Sequence, residues 1–157
     1  MSHRTVIAPF ALMAALAMPL AAGAAELLTV TGPAGVQTYD LPALEAFEPV
    51  TFETSTIWTS GTASFEGVPL KALLDAASIE EGSVQATAIN DYAIDIPVAE
   101  ITDSYPIVAY RMNDEVMSTR DKGPLWVIYP FDSEPSLQTE VNYSRSIWQL
   151  DRIALKE

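Results

Sequence analysis

The sequence predicts an α+β domain with a mixed, mainly antiparallel sheet and short helices. The first reason is that short β-patterned runs recur with turn residues between them, two of them as hairpins around Asn90-Asp91 and Asn113-Asp114. The second is that helical periodicity is confined to brief stretches, so strands and helices do not alternate as repeating βαβ units would require. The third is length: of 157 residues, those after position 24 suffice for one domain with a real core and not for two.

Taken in order, Leu27 to Thr31 reads as a strand ending at Gly32-Pro33, and Val36 to Tyr39 returns beside it. Asp40 is an N-cap residue for a short helix, Leu41 to Phe47, with Pro42 in its first turn. Val50 to Trp58 alternates with the period of a half-buried strand, and Gly61 turns the chain. Pro69 to Ala77 is the best helix, with Leu70, Leu73, Leu74 and Ala77 on one face. The hairpins Val84–Ile89/Tyr92–Ile96 and Ile107–Met112/Glu115–Met117 follow, with a helical turn at Val98 to Thr102 between them. Leu125 to Tyr129 is a strongly apolar strand. The polar stretch Asp132 to Asn142 is a short helix or a functional loop, and Ser146 to Leu155 is the closing strand.

The first 24 residues predict export. Arg4 precedes an apolar run, Val6 to Leu20, and small residues follow with an A-x-A site at Ala22-Gly23-Ala24. The run is shorter than the ~20 residues a membrane-spanning helix needs. Residues 25–157 are therefore expected as a soluble domain in the periplasm or secreted, with no membrane insertion after cleavage. The start carries one arginine and not the twin arginine of folded-protein export, so the chain is expected to cross unfolded.

Composition narrows the chemistry. The chain holds 21 acidic against 8 basic residues, a formal net charge of −13, which argues against nucleic acid and anionic lipid as partners. It contains no cysteine, and its one histidine, His3, lies in the export segment. No disulfide can form, thiol and imidazole catalysis are excluded from the mature chain, and metals usually held by Cys or His lose their ligands. Carboxylates, hydroxyls, Lys, Arg and Tyr remain.

Four segments carry a resemblance. Phe65-Glu66-Gly67-Val68-Pro69-Leu70, running into Lys71-Ala72-Leu73-Leu74, resembles the (F/W)-x-G-V-P-L-x-x-L-L signature of the oxidoreductase molybdopterin-binding domain, the sulfite-oxidase-type fold. Ala88 to Tyr92 resembles that family's A-x-D-G-Y turn, Ile107 to Asp114 its L-A-x-x-x-N-G hairpin, and Lys122-Gly123-Pro124-Leu125 with Tyr129-Pro130 its G-x-P-L-R-x-x-x-P strand. The match runs over about residues 47 to 155. The resemblance implies a molybdenum held by a cysteine on the strand before G-V-P-L; that strand here offers Thr54, Ser55 and Thr56. Neutral hydroxyls replace a soft anionic thiolate poorly. The arginine after G-P-L is Trp126, and the family's cofactor-binding histidines are absent.

These departures predict a reduced relative that keeps the fold without the molybdenum centre: a non-catalytic binding, sensing or accessory module with no cofactor. The alternative is an oxidoreductase that still binds molybdopterin without a cysteine ligand. Residues 25–110 carry one basic residue against thirteen acidic ones, whereas residues 111–157 carry six against eight. Arg120, Lys122 and Arg145, with the backbone amides near Gly123, are therefore candidates to bind a small anionic ligand or a periplasmic partner protein. Thr54, Thr56 and Tyr92 complete the candidate set. Trp58, Trp126 and Trp148 suit a pocket wall, but Trp126 reads more naturally as core.

Overall fold

A computed structural model describes residues 23–157. The export segment predicted over residues 1–24 lies outside the described residues apart from its last two positions. The expected fold class is present, with the strands divided between two sheets. In chain order the strands are β1 (Leu28–Gly32), β2 (Gly35–Tyr39), β3 (Val50–Ser55), β4 (Thr62–Pro69), β5 (Ser83–Ala88), β6 (Ala93–Pro97), β7 (Ile107–Met112), β8 (Glu115–Val116), β9 (Trp126–Ile128) and β10 (Leu150–Leu155). The first sheet has the order β2-β1-β10-β5-β6. It is mixed because β1 pairs parallel with β10, with Thr29 facing Arg152, while its other pairs are antiparallel. The second, β3-β4-β7, is antiparallel throughout, and the far edge of β7 is shared by β9 at Ile107–Ala109 and β8 at Arg111–Met112.

The apolar run in β7 is explained by burial on both faces. Val108 and Tyr110 join the larger core with Leu73, Val84 and Ile153. Ile107 and Ala109 point the other way, into a second cluster with Phe65, Trp126 and Ile128. A strand with two buried faces loses the polar alternation of a half-exposed one. Helix α2 (Leu70–Ala76) buries the predicted face, Leu70, Leu73 and Leu74, with Ala77 just beyond it. In α1 (Leu41–Glu45), Asp40 caps as expected by accepting from the Ala43 amide at 2.9 Å.

The structure revises several boundaries. Strand β3 stops at Ser55 because Thr56 Oγ1 accepts the amides of Trp58 and Thr59 at 3.1 and 3.0 Å, which turns the chain out of the sheet. Strand β4 is an element that the sequence pattern does not predict, and it carries the Phe65–Pro69 motif between β3 and β7. Gly67 is required there, since a Cβ would lie 2.2 Å from the Val108 carbonyl oxygen. The polar stretch resolves into a 3-10 turn, Pro135–Leu137, and α3 (Glu140–Arg145), capped by Thr139. The closing strand starts only at Leu150, because Gln149 sits at φ 53°, outside strand geometry.

Candidate functional site

An open cavity of about 450 Å³ lies where four segments converge. The turn after β3 supplies Trp58, the β5–β6 hairpin Asn90 and Tyr92, α3 Tyr143, and the segment before β10 Ser146 and Trp148. Trp58 is the hub of the aromatic packing. Its ring meets Trp126, Tyr143 and Trp148 edge-on, with centroids 5.8, 5.9 and 5.8 Å away. The Thr56 turn that ends β3 is therefore also what delivers Trp58 to this hub. Trp126, fully buried, packs edge-on against Phe65 and donates its indole N–H to the Ser146 carbonyl at 3.0 Å, so it is core, as the sequence favoured. Trp148 remains 39% exposed at the rim, and Tyr92 is 53% exposed.

The hydroxyls of Thr54, Ser55 and Thr56 are committed to the fold. Thr54 is fully buried; its hydroxyl accepts from the Asp132 amide at 3.0 Å and donates to the Ser55 carbonyl at 3.1 Å. Ser55 returns the contact, donating its Oγ and amide to the Asp132 carboxylate at 2.7 and 2.6 Å. Those two bonds hold the Asp132 carboxyl below its ordinary value. Thr56 is occupied by its own turn. Ser55, Thr56 and Asp132 line a smaller recess of about 240 Å³ with Gln138 and Tyr143. Among the described residues, no group of three or more His, Cys, Asp or Glu side chains could hold a metal ion. Hydroxyls already hydrogen-bonded within the fold, in a chain without cysteine, do not fit a molybdenum centre held by a protein thiolate.

The basic candidates separate. Arg145 is buried and ion-paired with Glu100 at 2.5 Å, beside Tyr129, whose phenol burial pushes up to about 12. It serves as a clasp for α3 and is not a free cation. The Gly123 amide is likewise spent, donating to the Ser118 carbonyl at 2.8 Å, and a Cβ at Gly123 would lie 2.1 Å from the Met117 carbonyl oxygen. That glycine shapes a tight loop and offers no amide to an anion. Lys122 lies with its ammonium 5.2 Å from the Trp148 ring centroid and 5.8 Å from that of Trp126. Arg120 is exposed on the same loop. The loop is fastened to the cavity wall, because the Lys122 carbonyl accepts from the Gln149 amide and Gln149 Nε2 donates to the Thr119 carbonyl.

The structure therefore brings Tyr92 to the lining of the aromatic cavity and Lys122 only to the Trp148 ring at its rim, and assigns Thr54, Thr56, Gly123 and Arg145 to holding the fold. The residues sequence reasoning passed over are Asn90, Tyr143 and Ser146. Tyr143 lies one residue beyond the stretch Asp132 to Asn142, where its spacing after the Thr139 cap is the available signal.

The two-sheet α+β architecture, with the Phe65–Leu70 motif at the join of β4 and α2, defines a sulfite-oxidase-type domain. The family model for the oxidoreductase molybdopterin binding domain matches residues 29–132, and the chain belongs to that family as a member without cysteine. Among solved structures it is similar to the sulfane dehydrogenase SoxCD from Paracoccus pantotrophus, with a TM-score of 0.62 and 17% identity over 81% of this chain. The match covers 37% of that relative's chain, so this chain spans well under half of it. No curated protein matches the chain.

Proposed function

We propose that this domain is an exported ligand-binding or sensing module that has lost the molybdenum centre of its family and uses the adjoining aromatic cavity for a small ligand. The observation that carries the reading is the reciprocal bonding of Thr54 and Ser55 with Asp132, which commits the hydroxyls nearest the family's metal-ligand position to closing the fold. The aromatic cavity beside it supports the binding half of the proposal, since recessed, mainly apolar sites with a few polar groups are where small molecules bind. Export is part of the same proposal: no helix among the described residues is long and apolar enough to cross a membrane, and the N-terminal pattern is that of a cleavable signal.

The test is elemental analysis and an absorption spectrum of protein purified from its native periplasm. Colourless protein with molybdenum far below one per chain is the expected result. One molybdenum per chain, with pterin fluorescence after denaturation, overturns the reading in favour of a cofactor-dependent oxidoreductase. That second reading has one observation behind it, the family match over residues 29–132. N-terminal sequencing of the exported form is expected to begin near Ala25, and an intact Met1 on membrane-bound protein overturns the export half.

A further inference from the structure

We propose that the aromatic cavity takes a small planar aromatic acid, an apolar ring bearing one carboxylate, with the ring against Trp58 and Trp148 and the acid at Lys122. The inference rests on the ligand-binding reading above and names its ligand class. The walls argue for a flat apolar ring. Rings from four separate segments meet there, and the edge-on packing of Trp58 against Tyr143 and Trp148 fixes their orientation before any ligand arrives.

The polar groups argue against a ring studded with heteroatoms. Ser144 Oγ donates to the Glu140 carbonyl and Ser146 Oγ to the Asn142 carbonyl, each at 2.8 Å. Asn90 Oδ1 accepts from the Tyr92 amide at 3.2 Å. Both serine protons are thereby spent within the fold, so a heterocycle rich in acceptors around its edge, such as a pterin, finds fewer donors here than its edge requires, which disfavours its burial. A hydrocarbon ring makes no such demand.

Charge argues for the acid. Residues 25–157 contain seven basic side chains. Lys71, Arg111, Arg145, Arg152 and Lys156 are each ion-paired. Arg120 and Lys122 are without a carboxylate partner among the described residues, in a chain with 21 acidic groups to choose from. Lys122 does not itself line the cavity but rests on Trp148, the ring that forms its rim, so a ligand carboxylate that reaches past that rim meets a cation.

Isothermal titration of the purified mature chain, already assayed for molybdenum, tests this with four probes: 2-naphthoate, its neutral amide 2-naphthamide, pterin-6-carboxylate and inorganic phosphate. Saturable binding of 2-naphthoate at one per chain is expected, with the amide and the pterin weaker and no binding of phosphate. Lys122→Met is expected to weaken 2-naphthoate about tenfold or more, Lys122→Arg to restore most of it, and Lys71→Met to change nothing. Trp148→Ala should weaken it similarly, and Trp148→Phe, which keeps a ring, less. Equal affinity for the amide overturns the assignment of the acid to Lys122, and tighter binding of the pterin overturns the ligand class. Absence of binding by all four at millimolar concentration in molybdenum-free protein overturns the inference and leaves the loss of the metal standing. Stoichiometric molybdenum in the same sample is the separate result that removes the functional reading itself.

Discussion

The small recess at Ser55 and Asp132 and the larger cavity at Trp58 and Trp148 meet at Tyr143, yet they differ in what their walls leave unpaired. In the first, Ser55, Thr56 and Gln138 all bond to neighbouring residues, and the buried Thr54 behind them holds the Asp132 amide. In the second, Asn90, Ser144 and Ser146 are also bonded within the fold, but the walls are aromatic, and Lys122 against the Trp148 rim rests on rings and not on a carboxylate. A group whose bonding capacity is satisfied within the fold contributes stability and has little left for a ligand; a group left over has the converse property. Substitutions in the first recess should therefore cost stability, whereas rim substitutions on the second should cost binding.

The largest effect is expected at the floor that underlies the cavity. Trp126→Ala removes a fully buried ring and the bond to the Ser146 carbonyl, and should destabilise the domain by about 3–5 kcal/mol in urea unfolding. A loss below about 1 kcal/mol would make Trp126 a wall residue and dissolve the division between core and rim. Thr54→Val comes next. It keeps the shape but leaves the Asp132 amide without its acceptor, at about 1–2 kcal/mol, and Thr54→Ser should recover most of it. At the rim, Trp148→Ala should shift stability by only about 0.5–1 kcal/mol, because the ring is already partly in water. If Trp148→Ala proved as damaging as Thr54→Val, the two recesses would not differ as described.

A pH measurement sharpens the same contrast. Asp132 has a folded pKa lowered by the Ser55 hydroxyl and amide. Its contribution to stability is therefore present above the ordinary carboxylate value near 3.8 and is lost as pH falls through the lowered folded value. Acid titration followed by amide exchange at Ser55 should show protection fading in that window. Asp132→Asn should flatten the stability profile there. A wild-type profile no steeper than that of Asp132→Asn would mean the carboxylate does not hold the end of β3.

Much of this fold was legible because local chemistry and tertiary structure agree. Asp40 and Pro42 favour a helix start by local capping alone, and Asn113 and Asp114 take the positive φ angles of 52° and 67° that a tight hairpin turn needs. The leucine face of α2 is buried as its spacing requires. Strand β4 escaped because Ala63-Ser64-Phe65-Glu66 has the right alternation but runs into Gly67 and Pro69, residues usually read as ending a strand. Trp58 reads as a strand residue because the alternation from Val50 continues past Ser55, and only the Thr56 hydroxyl ends it. The site was harder to read. Sequence proximity grouped Arg120, Lys122 and Arg145 as cations, but the partner that removes Arg145 from the group, Glu100, is 45 residues away. Such cancellation depends on tertiary contacts that no local pattern encodes.

The parallel pairing of β1 with β10 has a consequence for how the chain reaches this state. β10 lies between β1 and β5, so the first sheet is missing its central member until the last strand has been made and delivered. Until then β1 and β5 each present an open edge, the kind of surface on which strands from other chains can add. A chain threaded across a membrane from its N-terminus would expose those edges throughout its passage. Folding of this sheet is then a late event that joins the two ends of the domain in one step, with the long loop closures and slow rates that distant strand pairing entails. Removing the final strand should accordingly produce an aggregating chain, and not a smaller folded domain.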